Sequence, residues 1–233
     1  GSPGGPPTRV GTSVGDITAG LFTAIGVNAA LLHRHATGQG MKVDVSMLDA
    51  QIAILENAIV RYGATGEIPK PLGSRHPSIA PFDAYATRDG HIVIAAGNDQ
   101  LFERLCGAIG RTDLASNPLF VHNGTRSQHV SALKDELEVT LSARDTADWQ
   151  EILESAGVPC GPINTVDRVI QDEQVLARNM VVTLADDGDG RRPLKVAGNP
   201  IKLSAFADPT TRRPAPKLDR DREALLRELE IDG

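Results

Sequence analysis

An aspartate flanked by glycines at the start of a long apolar run is the side chain in this sequence best placed to do chemistry. It stands in Gly11-Thr-Ser-Val-Gly-Asp-Ile-Thr-Ala-Gly20. At a helix start, unpaired backbone N–H groups and the positive end of the helix dipole keep a carboxylate ionised and held in place. Gly15 and Gly20 remove side-chain bulk on either side of Asp16, so a ligand could approach it closely. Such a carboxylate can serve as a nucleophile or a base. The same placement also suits an ordinary helix N-cap, and local spacing does not choose between the two.

Other reactive side chains carry weaker patterns. His33 and His35 are two apart on a helix and point in different directions, which reads as charge at a helix end and not as a metal pair. Cys106 and Cys160 are far apart and outside any CxxC, as reduced, buried thiols are. The acidic turn Asp186-Asp-Gly-Asp-Gly190 lacks the flanking ligands of a calcium loop. No metal is expected. Asn98 or Asp99 reads as a helix cap, and Trp149 as a core anchor.

The elements that must position Asp16 follow from periodicity. From Asp16 to Thr37 apolar residues mark the helical period and fill the other faces too, which predicts a helix buried on most sides. The apolar stretch Ala19 to Leu32 reads as a core helix too short to span a bilayer. Gly38 supplies its stop. Met41 to Val45 alternates as a short strand. Ser46 caps a second helix reaching Tyr62-Gly63. Residues 66–81 are rich in Gly and Pro and read as a linker. Beyond it, Phe82–Ala86 and His91–Ala96 flank the hairpin signal Asp89-Gly90. Helices follow over Gln100–Ile109, Ser127–Leu141 and Thr146–Ala156. Val158–Ile163 is extended, Thr165–Ile170 and Asp172–Arg178 are helical, and Met180–Ala185 pairs with Leu194–Val196. Ile201–Phe206 reads as one more strand. A last helix, Asp219–Leu229, turns Ala224, Leu225 and Leu229 inward.

With 40% hydrophobic and 23% charged residues, the 233-residue chain has the balance of a soluble globular protein with room for two units. A formal charge of −6, with Arg and Lys scattered among acids, excludes a nucleic-acid-binding surface. No export signal opens the chain. Reduced thiols point to the cytoplasm, and no membrane partner is expected.

Several segments taken together resemble the class III CoA-transferase family, the CaiB/BaiF-like proteins that include carnitine and formyl-CoA transferases and α-methylacyl-CoA racemases. They are Gly5-Pro-Pro-Thr-Arg-Val-Gly-Thr-Ser-Val-Gly-Asp-Ile-Thr-Ala-Gly20, His35-Ala-Thr-Gly-Gln-Gly-Met-Lys-Val-Asp-Val45, Leu72-Gly-Ser-Arg-His-Pro77, Gly97-Asn-Asp99, Gly157-Val-Pro-Cys-Gly-Pro-Ile-Asn-Thr165 and Gly198-Asn-Pro-Ile-Lys-Leu203. The resemblance implies an α/β fold: the remnant of a Rossmann-like large domain (1–65, with Asp16), a linker (66–81), a smaller α+β domain (82–197), and a return segment with a C-terminal helix (198–233). It implies that Asp16 is the catalytic nucleophile, with Gly15 beside it. It also implies that Gly73, Ser74, Arg75 and His76 occupy the place of a loop that closes over the acyl group. That loop has one glycine where the formyl-CoA enzymes have several, so Arg75 or His76 could instead meet an acid substrate.

By the same resemblance the substrates are coenzyme A, carried as acyl-CoA, and a carboxylic acid acceptor, and the assembly is an interlocked homodimer. Most family contacts to CoA lie in an N-terminal half outside this sequence, so the 233 residues are expected to be inactive alone. Three functions follow. Transfer of CoA between carboxylic acids is favoured over α-proton exchange, because racemases of the family tend to read Gly-Asp-Phe-Gly-Gly-Gly where this chain reads Gly15-Asp-Ile-Thr-Ala-Gly20. A non-catalytic binding or assembly piece, with Asp16 as a cap, is the third.

Overall fold

The computed structural model describes residues 1–185 and 193–230, and the expected turn at 186–190 lies outside them. The chain divides into two compact units, Gly1–Pro162 and Ile163–Gly233, a division that cuts the stretch 82–197 at Pro162. Mixed α and β elements with small sheets make up both.

The first unit opens with helices α1 (Val14–Thr37), α2 (Met47–Ala53) and α3 (Glu56–Thr65). α1 ends as the sequence predicts: Gly38 takes a left-handed φ of 72°, and its N–H donates to the carbonyl of Arg34. Its burial does not follow the prediction. No α1 residue is buried, and Ile25 and Leu32 are 65% and 71% exposed. The expectation of a buried helix rested on its all-round apolar character, but burial needs facing elements, and here α1 packs mainly on α2. At 24 residues α1 is also long and apolar enough to cross a bilayer by length and composition, which corrects the shorter estimate; a core helix of a soluble protein passes the same test.

Residues 41–45 form no strand. They pass α1 without regular structure, the Val43 side chain lying so close to Gly26 that an added Cβ there would come within 2.8 Å of it. A strand needs a ladder partner, and none is present among the described residues. Ser46 caps α2 as expected, its Oγ accepting from the Asp49 N–H at 3.0 Å. The single helix expected through Gly63 is interrupted at Ile54-Leu55, where the Leu55 N–H bonds back only three residues to Ile52. α3 then passes Gly63 and stops at Gly66, φ 71°.

The rest of this unit is a closed α+β core. β1 (Phe82–Ala86) and β2 (His91–Ala95) form the predicted hairpin, with Ala86 opposite His91, and β3 (Cys160–Pro162) joins β2 antiparallel. Packed around this sheet are α4 (Asp99–Ala108), α5 (Thr112–Ala115), α6 (Asn123–Gln128), α7 (Val130–Leu141) and α8 (Thr146–Ser155). Ile92 and Ile94 meet Phe102, Leu105, Leu133, Leu137, Leu141 and Leu153 in one cluster. Trp149 belongs to that core, and its Nε1–H donates to the Leu141 carbonyl at 2.7 Å. Asn98 caps α4, accepting from the Leu101 N–H. The start of α8 is tied down from afar, because Asp89 in the hairpin turn accepts from the Thr146 N–H at 2.8 Å. Those bonds hold the Asp89 carboxyl below its usual range.

The second unit contains α9 (Val166–Val169), α10 (Glu173–Ala177), β4 (Val181–Leu184), β5 (Lys195–Ala197), β6 (Thr211–Arg212) and α11 (Arg222–Glu228). β4 pairs antiparallel with β5 and parallel with β6. Ile201–Phe206 is not the expected strand: the Ile201 N–H turns onto the Asn199 side chain, and Thr211-Arg212 takes the free edge of β4 instead. On α11 the residues expected to face inward, Ala224, Leu225 and Leu229, are exposed, and only Leu226 is half-buried.

Candidate active site

Asp16 occupies the third position of α1, and the cap position belongs to Ser13, so the N-cap reading of Asp16 is corrected. Ser13 makes no side-chain capping bond. The Ile17 N–H finds the Ser13 carbonyl, while the N–H groups of Gly15 and Asp16 have no acceptor among the described residues. The Asp16 carboxylate is exposed and pairs with no described side chain. A free anion therefore sits beside free backbone donors, a pairing suited to a nucleophile whose product is a tetrahedral oxyanion.

These groups line an open depression of about 300 Å³ with Arg9, Val10, Thr12, Ser13, Met47 and Gln51. Arg9 and Gln51 were not singled out by sequence reasoning. Gln51 could have been found from spacing, because it stands four residues after Met47 at the start of α2 and donates from Nε2 to the Met47 carbonyl at 3.1 Å. Its amide packs on Gly15: a Cβ at that position would lie 3.0 Å from Gln51 Cδ, tight enough that the Gln51 side chain would have to give. At Gly20 an added Cβ would meet nothing within 4 Å, so no close approach among the described residues requires that glycine.

The other candidate residues lie elsewhere in the unit. Gly73, Ser74 and Arg75 line a second depression of about 340 Å³, which shares no lining residue with the first. Gly73 takes φ 70°, and its N–H donates to the Gly1 carbonyl. Ser74 Oγ donates to Asp83 Oδ1 at 2.5 Å, and Lys134 Nζ bonds Asp83 Oδ2 at 2.9 Å. His76 is held locally: its ring stacks on Phe82 at 5.4 Å and its Nδ1 accepts from the Ser78 N–H. The Asp83–Lys134 pair escaped sequence reading because its members are 51 positions apart.

Both cysteines are free, and burial pushes the Cys106 thiol up to about 12, so it stays protonated and unreactive. Among the described residues no group of three or more His, Cys, Asp or Glu is placed to hold a metal ion.

Comparison with known proteins gives this geometry its context. The family model described as CoA-transferase family III matches residues 1–222. Acetyl-CoA:oxalate CoA-transferase of Acetobacter aceti is 42% identical over 230 residues, covering 98% of this chain and 57% of that protein. Succinate–glutarate CoA-transferase of Agrobacterium fabrum is 33% identical over 235 residues, covering 99% of this chain and 57% of that protein. A crystal structure of a CaiB/BaiF family protein from Brucella suis superposes with a TM-score of 0.79 at 34% identity, covering 98% of this chain and 58% of that one. The chain thus spans little more than half the length of the relatives it matches.

Proposed function

The chain belongs to CoA-transferase family III, and on that premise we propose that it carries the nucleophile of a CoA-transferase, Asp16, in an enzyme that moves CoA from an acyl-CoA to a small carboxylic acid. One observation carries this reading: an exposed, unpaired carboxylate stands beside the unpaired N–H groups of Gly15 and Asp16 in an open depression. A structural cap would instead be engaged with the helix N–H groups.

In the proposed reaction an Asp16 carboxylate oxygen attacks the thioester carbonyl carbon, and the C–S bond breaks with its electron pair leaving on the CoA thiolate. The product is a mixed anhydride. The thiolate then attacks Asp16 Cγ, and the C–O bond breaks to release the first acid as its anion. The acceptor carboxylate attacks the resulting aspartyl thioester and expels the thiolate. Attack of the thiolate on the acceptor's carbonyl then forms the new acyl-CoA and regenerates Asp16. Each step passes through a tetrahedral oxyanion, which the free N–H groups of the first turn are suited to steady. The Gln51 amide packs against Gly15 beside the carboxylate.

The names of the relatives favour a small di-acid such as oxalate, succinate or glutarate as acceptor. In this reading the enzyme is a cytoplasmic homodimer of the relatives' length, and the 233 residues alone do not turn over. The exposed apolar surface of α1 and the 57% span support that last point.

The test is chemical trapping in the enzyme at its natural length. Incubation with acetyl-CoA and then hydroxylamine yields a hydroxamate at Asp16, read by mass spectrometry of the peptide, and Asp16→Ala yields none. Exchange of the α-proton of an acyl-CoA into deuterated solvent, with no trapped adduct, would instead establish racemisation.

A further inference from the structure

Among the described residues, Gln51 is the one side-chain donor on the Asp16 depression that a hydrogen bond holds in place. Arg9, Thr12 and Ser13 share the lining, but all three are exposed on the segment before α1, and no described hydrogen bond fixes their side chains. The Gln51 amide is fixed twice over. Nε2 donates one hydrogen to the Met47 carbonyl, one turn back on α2, at 3.1 Å. The amide also lies against Gly15, where an added Cβ would come to 3.0 Å from Cδ and 3.2 Å from Nε2. The Met47 carbonyl sets which way round the amide sits, since it needs a donor and only the NH2 end supplies one. α2 itself is capped by Ser46 and seated by Ala50, the residue before Gln51, which is 3% exposed. The second hydrogen on Nε2 has no acceptor among the described residues. A donor held in this way needs little reorganisation when negative charge develops beside it.

The transfer reaction proposed above puts such charge at Asp16 itself. Two of its tetrahedral intermediates are centred on Asp16 Cγ, the first when the thiolate attacks that carbon and the second when the acceptor carboxylate does. Their oxyanion is one of Asp16's own oxygens. It therefore develops where the chain places it and not where a substrate happens to sit, which is the situation a preorganised side-chain donor serves best. We infer that Gln51 is a catalytic residue, its second Nε2–H donating to the oxyanion at Asp16 Cγ in both intermediates. The proton stays on the amide nitrogen throughout, so the bond balance of the transfer is unchanged. The inference rests on Asp16 being the nucleophile.

Single-turnover mixing of the enzyme at its natural length with acetyl-CoA, quenched in time and read by mass spectrometry of the Asp16 peptide, tests this. The signal followed is the aspartyl-CoA thioester, which forms through the first of the two intermediates. Gln51→Ala slows its formation on the order of 10²-fold, the scale of one lost oxyanion donor. Acetyl-CoA binding and the unfolding midpoint stay at their wild-type values, because the side chain is exposed. Gln51→Glu keeps the size, loses the donor and slows the step as much. Its carboxylate also disfavours the charged form of Asp16 by like-charge repulsion, so the acid limb of the rate moves to higher pH. Arg9, the other charged side chain on the lining, is the same in both variants and does not account for that movement. An unchanged rate in Gln51→Ala overturns the inference and leaves Asp16 as nucleophile. So does a slow Gln51→Ala whose binding and midpoint fall in step, which makes Gln51 structural, or an unmoved acid limb in Gln51→Glu, which puts the amide out of reach of Asp16. Absence of any aspartyl-CoA in the wild type overturns the Asp16 reading itself, and the inference falls with it.

Discussion

The α1–α3 segment is the richer in apolar residues and the α4–α8 core the poorer, yet it is the core that buries them. In the core, Leu137 is fully buried and Ile92 and Ile94 lie beneath helices that wrap the sheet. On α1, Leu21, Ile25 and Leu32 face outward. The difference lies in closure and not in hydrophobicity. Hairpin β1–β2 finds its third strand 65 or more residues later, and α7 and α8 cover it, whereas α1 meets little beyond α2. Asp16 stands on the open segment and Arg75 on a loop pinned to the closed one. The proposed nucleophile is thus borne by the segment that is open among the described residues, and Arg75 by a loop tied to the closed one.

The largest expected effect separates chemistry from stability on the open segment. Asp16→Ala abolishes turnover, a loss on the order of 10⁴-fold or more as for other lost nucleophiles, while the unfolding midpoint stays put because the carboxylate makes no described contact. A parallel fall in midpoint would mean that Asp16 is structural.

In the closed core, Leu137→Ala should cost about 3 kcal/mol in urea unfolding, through lost burial and the cavity left behind. A cost below about 1 kcal/mol would show that this region is as loosely packed as α1.

Next comes the one fully buried cation among the described residues. Arg126 is held by the carbonyls of Ala80 and Phe120, by Asp99 at 2.7 Å, and by the Phe102 ring at 4.6 Å. Asp99→Ala should cost about 2 kcal/mol, below the usual range for a broken buried pair because Asp99 is itself half exposed. The Arg126 guanidinium holds the Asp99 carboxyl below its usual range. A folded-state value below the unfolded one gives stability that is present above the ordinary carboxylate range and lost as pH falls through the folded value. The wild type therefore loses stability below about pH 4, and Asp99→Ala flattens that part of the profile; an unchanged acid limb would remove Asp99 from the account.

The smallest effect sharpens the contrast most. Leu21→Ala in the 233-residue chain should change stability by less than about 0.5 kcal/mol, despite removing the same atoms as Leu137→Ala. A cost near that of Leu137→Ala would mean that α1 is covered in solution.

Much of the local structure was legible from short-range signals. Gly38, Ser46, Asn98 and Gly157 mark helix ends through backbone chemistry that involves only a few neighbouring residues, and Asp89-Gly90 marks the hairpin in the same way. Misreadings arose where an element needs a distant partner. Met41–Val45 and Ile201–Phe206 have strand patterns but no ladder among the described residues, and Thr211-Arg212, in a stretch rich in Pro and Arg, has one.

What the sequence determined by itself was the family, through ordered segments spread along the chain, and the position of Asp16 at a helix start between free N–H groups. Only the tertiary structure decided that Ser13 and not Asp16 takes the cap position, that Gln51 closes on Gly15, and that Asp83 and Lys134 neutralise each other beside an Arg75 left without a partner. Caps and turns are settled within one helical turn of chain. Pairing of charges 51 residues apart, and the absence of such a pairing, exists only once the fold has brought the groups together or kept them apart.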